Sequence, residues 1–335
     1  MTKKSETDIL SAFSGGRVAV LGDIMLDVYL WGKVSRISPE APVPIVNTKR
    51  RTCCLGGAAN VMRNLSTLGA SAEGYGVVGC DPAAAEVSNA FAEAKISSFI
   101  ESDPGRPTTE KLRVMASGQQ LLRIDDENTT PVSDEIRRKL VNRIIDRIRD
   151  GKIDAVIFED YAKGLLASWM LEEIVAAAKE YDVFTALDPK PGGIAPVKGL
   201  TVIKPNRLEA FAMAGIIDSA PAADPQSDAI LRQVADTLLD LWEPEHLLIS
   251  LASQGMALFD RRSLRVIPTR AREVFDVSGA GDTVTATYAL SLASGADPVQ
   301  AAEIANRAAG IVVAKVGTAP ILFDELKNAC LQEKI

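Results

Sequence analysis

The stretch DVSGAGDT (276–283) sets three small residues and a carboxylate between a short apolar, strand-like run and an alanine-rich run of helical spacing. Gly279, Ala280 and Gly281 leave the backbone bare, and Asp282 falls in a first helical turn, where unpaired N–H groups and the helix dipole favour negative charge. Such a junction can hold an anion beside one carboxylate able to take a proton. Read alone, the same residues describe equally well a tight strand-to-helix turn with Asp282 as its cap. A second element, GGAANVMRNLSTLGA, adds Gly56 and Gly57, which let a ligand approach the backbone, and Asn60, an amide on a first helical turn. Asn206 and Glu209 in KPNRLE stand three apart and can face one way on a nascent helix, where they read as a capping box.

These groups need a scaffold. RVAVLGD (17–23), SAEGYGVVGCD (71–81), DAVIFEDYAKG (154–164), VFTALDPK (183–190), LTVIKPN (200–206), HLLISLASQG (246–255) and EVFDVSGAGD (273–282) are apolar runs ending in small or polar residues. Helical spacing separates several of them, in AANVMRNLSTLGA (58–70), PAAAEVSNAFAEAKI (82–96) and LEEIVAAAKEYD (171–182). The alternation predicts an α/β fold, a mainly parallel central sheet flanked by helices, with ligands at the carboxyl ends of the strands. Two stretches break the pattern. Residues 27–54 are β-favouring and proline-containing, and 108–127 read as two strands around Ser117-Gly118. Both predict a small β-sheet outside the main layer, a lid formed by about 28–54 and 106–125 of a single domain spanning 12–330. Residues 218–228 read as a surface loop.

The chain has 335 residues, 47% hydrophobic and 24% charged, with a formal net charge of -7. That balance fits a globular protein and argues against a general nucleic-acid-binding surface. Four cysteines without metal-ligand spacing read as reduced thiols, and the single histidine, His246, excludes histidine-rich metal sites. MTKKSETDILSAFSGG lacks an apolar signal core, and no run reaches the roughly 18 apolar residues of a membrane helix, so a soluble cytoplasmic protein with no membrane partner is expected.

Taken together, the GG and GAGD elements resemble the two signatures of the ribokinase-like (PfkB) carbohydrate kinases, and the order of elements matches from VAVLGDIMLD to ANRAAGIVVAKVGT. The resemblance implies a ribokinase-like fold and phosphoryl transfer from ATP, with Mg²⁺, to a sugar hydroxyl. It implies that Asp282 is the general base and that the N–H groups of Gly279, Ala280, Gly281 and Asp282 form an anion hole. Asn206 and Glu209 would place Mg²⁺ and phosphate, partly through water. Ser250 and Gly255 would lie by the nucleotide, with Ala252 standing where many relatives have glycine, and Asn306 near the adenine. Asp27 would grip sugar hydroxyls with Gly56, Gly57 and Asn60. Asp23, an alternative for that role, reads better as a turn residue. Asp160 and Lys163 would face the same strand-end edge. No Walker A motif is present, so phosphate must be held differently.

Within the family, RISPEAPVPIV (36–46), QQLLRID (119–125), DYAKG (160–164), DPK (188–190) and EVFDVSGAGDT (273–283) are similar to the kinases of bacterial ADP-heptose synthesis, which phosphorylate D-glycero-β-D-manno-heptose 7-phosphate at O1. A substrate already carrying phosphate needs cations at its far end. Lys111, Arg113 and Arg123 are the candidates and Arg36 a weaker one, although charges on an exposed strand face explain them equally well. With one histidine, the paired-histidine motif of the nucleotidyltransferase often fused to these kinases is absent, so a stand-alone kinase is expected. A homodimer through the lid is expected too. Other readings are a related kinase for fructose phosphate or ribose, and a non-catalytic sugar-phosphate or nucleotide sensor. A Rossmann dehydrogenase is disfavoured by the absence of G-x-G-x-x-G after the first strand.

Overall fold

The computed structural model describes residues 4–332 except Arg272. Chain order gives α1 (Glu6–Ala12), β1 (Arg17–Gly22), β2 (Ile24–Ile37), β3 (Pro44–Gly57), α2 (Ala58–Thr67), β4 (Ser71–Val78), α3 (Pro82–Glu93), β5 (Ser97–Ser102), β6 (Thr109–Ala116), β7 (Gln119–Asp126) and α4 (Asp134–Arg149). Then follow β8 (Ala155–Glu159), α5 (Ser168–Glu180), β9 (Phe184–Asp188), β10 (Val202–Ile203), α6 (Arg207–Ala214), α7 (Ala229–Trp242), β11 (His246–Ser250), β12 (Met256–Phe259), β13 (Leu264–Ile267), α8 (Ala280–Ala293), α9 (Pro298–Val312) and α10 (Phe323–Gln332).

β1 shows how the sequence builds the layers. Val18, Ala19, Val20 and Leu21 are all fully buried; Val18 and Val20 pack into one apolar layer, with α2, α8 and α9, and Ala19 and Leu21 into the other, with α4, α5 and α7. A strand covered on both faces reads as an unbroken apolar run, and so it does here. Among the described residues the main sheet has the order β13-β12-β11-β10-β9-β8-β1-β4-β5. It is parallel from β11 to β5 and antiparallel at the β12 and β13 edge. A smaller sheet, β3-β2-β6-β7, takes residues 24–57 and 109–126; its β2–β6 pair is parallel and its other pairs antiparallel.

One expected strand is missing. Residues 273–277 are not in the sheet, and Val274, Phe275 and Val277 are exposed. The last strand, β13, ends at Ile267, and the N–H groups of Phe275 and Asp276 instead donate to the Val313 carbonyl at 2.8 and 3.2 Å, tying the segment to the end of α9. The GAGD turn is therefore entered from a loop.

Candidate active site

The floor of the site is the carboxyl edge of the parallel strands. Asp23 follows β1, Glu159 ends β8 with Asp160 just after it, Asp188 ends β9, and Lys204 follows β10. Glu159 and Asp188 are paired in register. The mouth of α8 lies over this edge. Gly279 is its N-cap with φ +77°, a left-handed conformation costly for residues with a Cβ, and a Cβ there would come within 2.7 Å of Asn60 Nδ2. The N–H of Ala280 donates to Val277 O at 3.2 Å, so of the four amides expected in the anion hole this one is engaged in the turn.

Asp282 does not cap its helix. Its carboxylate accepts hydrogen bonds from Asn60 Nδ2 on α2 and from the Tyr161 hydroxyl after β8, each at 2.7 Å. Asn64, one turn beyond Asn60, accepts from Thr283 Oγ1 at 3.2 Å and from the Ile321 N–H at 3.0 Å, fixing α2 against α8. Burial raises the pKa of Asp282 above the ordinary aspartate value, while Asn60, Tyr161 and Lys204 oppose the rise. Burial also pushes the Tyr161 phenol well up, helped by the carboxylates of Asp282, Glu159 and Asp188, so Tyr161 stays a donor. Lys204 is buried and its ammonium lies 2.8 Å from Asp188 Oδ2. Glu159 is fully buried and neither of its oxygens has a hydrogen-bond partner among the described residues. Burial and the neighbouring Asp188 and Asp282 carboxylates hold Glu159 well above the ordinary range, so it keeps its proton.

Other expected residues have visible structural work. Asp23 accepts from the N–H groups of Tyr161 (2.9 Å) and Lys163 (3.1 Å), the turn role expected of it. Asp160 likewise accepts from the N–H groups of Ala162 (2.8 Å) and Ile194 (3.3 Å), so its oxygens clasp loops. Asn206 and Glu209 form a reciprocal capping box at the start of α6, with both bonds at 2.9 Å, and Lys190 reaches Glu209 at 3.1 Å. Ser250 ends β11 beside Asn206 through a parallel bridge. A Cβ on Gly255, at φ +89°, would meet the Ile267 carbonyl at 2.1 Å, and Asn306 donates to Pro268 O at 2.7 Å. Those two residues pack the β12–β13 edge and the loop after it.

On the small sheet, Asp27 Oδ1 is bound by Arg113 at 2.5 Å. A Cβ on Gly56 would stand 2.5 Å from Asp27 Oδ2, so glycine keeps that oxygen approachable. The remaining bases are also paired: Arg123 with Asp125 at 2.8 Å, Lys163 with Glu127 at 2.7 Å, and Lys111 with Asp125 and Glu127 at 3.4 and 3.6 Å. Arg36 is exposed at the far end of β2. A cavity of about 420 Å³ between α1 and α10, lined by Leu10, Phe323 and Cys330, shares no residue with this site.

A family described as pfkB family carbohydrate kinase matches residues 16–324. The chain belongs to the pfkB family of carbohydrate kinases. Membership makes it a carbohydrate kinase, and kinases of this family use ATP with Mg²⁺. Its relatives include the bifunctional protein HldE of Desulfatibacillum aliphaticivorans, 43% identical over 97% of this chain and 65% of that protein. The corresponding protein of Caulobacter vibrioides is 42% identical over 95% of this chain and 64% of that protein. The chain thus spans about two thirds of the length of the curated relatives it matches. Among solved structures, phosphofructokinase-2 from Escherichia coli in complex with potassium gives a TM-score of 0.74 at 16% identity, covering 96% of this chain and 99% of that one. Arabidopsis thaliana ribokinase complexed with ribose and ATP gives 0.67 at 17% identity, covering 94% and 98%. At such identities these two show the ribokinase-like fold alone.

The residues present suit both cofactors. A Cβ on Gly281 would fill the space between the helix mouth and two charged groups, 3.6 Å from Lys204 Nζ and 4.0 Å from Asp188 Oδ2, so the bare backbone leaves a cradle for phosphate. Asn206 and Glu209 offer hard oxygen donors, and the floor sets two aspartates, Asp188 and Asp282, against the single ammonium of Lys204, an excess of negative charge that favours a divalent cation. Tyr161, Asp188, Glu159, Lys204 and Asn64 received no role from the sequence. The first four stand inside or beside DYAKG, DPK and KPNRLE, strings that signalled a resemblance without saying which side chain turns inward.

Proposed function

We propose that this kinase phosphorylates O1 of D-glycero-β-D-manno-heptose 7-phosphate, giving the 1,7-bisphosphate that feeds ADP-heptose and lipopolysaccharide inner-core synthesis. The observation that carries the chemistry is the buried Asp282 carboxylate, held by Asn60 and Tyr161 at the mouth of α8. As the sugar oxygen bonds to the γ-phosphorus and the bond to the bridging oxygen of ADP breaks, Asp282 takes the hydroxyl proton. The N–H groups of Gly281 and Asp282 and the dipole of α8 meet the charge on the moving group. Asn206 and Glu209 would hold Mg²⁺, directly or through water, and the bound cation would supply charge that neutralises phosphate oxygens. Asp27, through the oxygen Gly56 leaves open, orients the sugar hydroxyls with Gly57 and Asn60. Ser250 is assigned to the nucleotide side. Gly255, Asn306 and Asp160 keep only indirect, structural parts in this reading.

The heptose phosphate assignment rests on the strings at 36–46, 119–125, 160–164 and 188–190, and the named relatives agree with it. Lys111, Arg123 and Lys163 are its phosphate-end cations; the incoming phosphate displaces Asp125 and Glu127, and the small sheet acts as the lid. Val34, Ile37, Leu121, Leu122 and Ile124 are exposed on that sheet, and Val43 just before β3, which supports a homodimer formed through it. No helix among the described residues is long and apolar enough to cross a membrane, and a cytoplasmic location follows from the reaction proposed. The test is ADP release from Mg·ATP with a panel of sugars and sugar phosphates. Heptose 7-phosphate is expected to lead in kcat/KM by about tenfold or more, the size of one well-made phosphate contact. Better turnover of fructose phosphate or ribose would replace the assignment with a related kinase, and no ADP release with any acceptor would favour the sensor reading.

A further inference from the structure

Between β8 and α5 the chain makes a tight turn at residues 161–163, and its side chains go to two different places. The Tyr161 hydroxyl donates to Asp282, and Lys163 Nζ reaches Glu127, just after β7, each at 2.7 Å. Ala162 between them has φ +55°, in the left-handed region that residues with a Cβ rarely enter. Such a turn keeps its shape only where its surroundings hold it. Asp23 accepts the N–H groups of Tyr161 and Lys163, and Asp160 that of Ala162. These two carboxylates belong to the main sheet. The third tie comes from elsewhere: Arg106 Nη1 donates to the Lys163 carbonyl at 3.1 Å.

Arg106 stands in the segment that leads from β5 into β6 of the small sheet. That segment is anchored at both ends, the Asp103 N–H donating to Val78 O at 2.9 Å and the Thr108 N–H to Asp81 Oδ2 at 2.7 Å. Only 8% of the Arg106 side chain is exposed, and its Nη2 donates at 2.6 Å to the carbonyl of Thr130, in the segment by which the chain leaves β7. Its buried Nε–H has no hydrogen-bond partner among the described residues, Asp103 Oδ2 lying 3.4 Å away as an ion pair. Leaving a buried donor unpaired is costly, so the guanidinium is placed for the two carbonyls it joins. Those two loops also touch directly. A Cβ on Gly164, at φ +83°, would run into the Thr130 carbonyl, and the Val132 N–H donates to Gly164 O at 2.8 Å.

We propose that Arg106 is a positioning residue of the phosphoryl transfer: by joining the entry and the exit of the small sheet to residues 161–163, it holds the Tyr161 hydroxyl on Asp282. Asp27, the sugar-gripping carboxylate of the function proposed, lies on the same small sheet, so the part that receives the acceptor also sets the base that deprotonates it. The proposal rests on Asp282 as that base and is independent of which sugar is the acceptor. The charged and titratable groups facing Asp282 are Tyr161 and Glu159 at the end of β8, Asp188 at the end of β9, Lys204 after β10 and Asp27 on β2. Arg106 is bonded to none of their side chains, so its influence runs through the turn. The guanidinium keeps its charge throughout.

A double-mutant cycle of Arg106→Met with Tyr161→Phe on the whole chain tests it, read as the pH dependence of kcat with the sugar phosphate turned over fastest. Arg106→Met should lower kcat at pH 6 by about three- to tenfold and move the acid limb to higher pH, because Asp282 loses a hydrogen bond that lowers its pKa. KM for ATP should stay within about twofold of wild type. The double variant should lie within about twofold of the slower single one, since the second change removes a contact already lost, whereas independent effects multiply. Arg106→Lys keeps the charge, can reach one carbonyl, and should recover part of the loss. Losses that multiply, or an acid limb left at its wild-type position, would overturn the proposal and leave Arg106 a brace between loops. Amide hydrogen exchange of Arg106→Lys, the milder change, guards against a Met variant that folds poorly. The N–H groups of Tyr161 and Lys163 should exchange about tenfold faster than in wild type while those of β8 are unchanged, and wild-type protection at both would overturn the proposal. Failure of heptose 7-phosphate as acceptor, or an acid limb that survives Asp282→Asn, would strike the function proposed and leave the cycle and the exchange readings standing.

Discussion

In the floor of the site Glu159, Lys204 and Asp282 are buried and Asp188 is half-buried, and the ammonium of Lys204 meets the aspartates across strand ends. On the small sheet and beside it, Lys111, Arg123 and Lys163 sit in partly exposed pairs with Asp125 and Glu127. The same chemical groups do different work in the two places. Buried charges act at low effective dielectric and hold one geometry, whereas surface pairs are worth about 0–1 kcal/mol each and exchange partners readily. In the function proposed, chemistry is set by the floor, and recognition of the far end of the substrate by groups that must first leave a carboxylate. Arg113 is intermediate, because its partner Asp27 is itself buried.

Substitutions should separate the two regions by the kinetic constant they change. The largest effect is expected for Asp282→Asn, a loss of about 10²–10⁴ in kcat with the melting temperature little changed, measured by steady-state kinetics and calorimetry. Tyr161→Phe should lower kcat by about three- to tenfold, more at pH 6 than at pH 8. It removes a hydrogen bond that lowers the Asp282 pKa, so the base is protonated at a higher pH. On the small sheet, Lys111→Ala and Arg123→Ala should raise KM for the sugar phosphate by about tenfold with kcat within about twofold, and Glu127→Gln should lower that KM. A fall in kcat from the lid variants would break the contrast between the regions.

The smallest effect concerns stability. Glu159 holds its proton in the folded chain at pH values where the unfolded chain has lost it, so wild type loses stability as pH rises above the ordinary glutamate pKa. Glu159→Gln removes that dependence, and its stability relative to wild type should increase from pH 5 to pH 8 in denaturant titrations.

The sheet was legible because β1 and its neighbours are apolar on both faces, and the GAGD turn because small residues precede a carboxylate at a helix start. Residues 273–277 misled because alternating Val, Phe and Asp looks like a strand, while their backbone bonds go to Val313, some forty positions away. Tyr161 and Lys204 were hidden for a related reason. Their partners, Asp282 and Asp188, come from other elements, and strand-end pairing across a sheet leaves no spacing signal in one chain. The bases of the lid were visible as charges, but the carboxylates that occupy them were not, since Asp125 and Glu127 are brought to Lys111 by the β6–β7 pairing.

The central claim is that one buried carboxylate removes the proton of the acceptor hydroxyl, and the pH dependence of kcat for wild type and Asp282→Asn reads it most directly. Wild-type kcat should fall about tenfold per pH unit below an apparent pKa raised above the ordinary aspartate value, and that acid limb should be absent from the residual rate of Asp282→Asn. An Asp282→Asn enzyme that keeps both the wild-type rate and the wild-type limb would contradict the account.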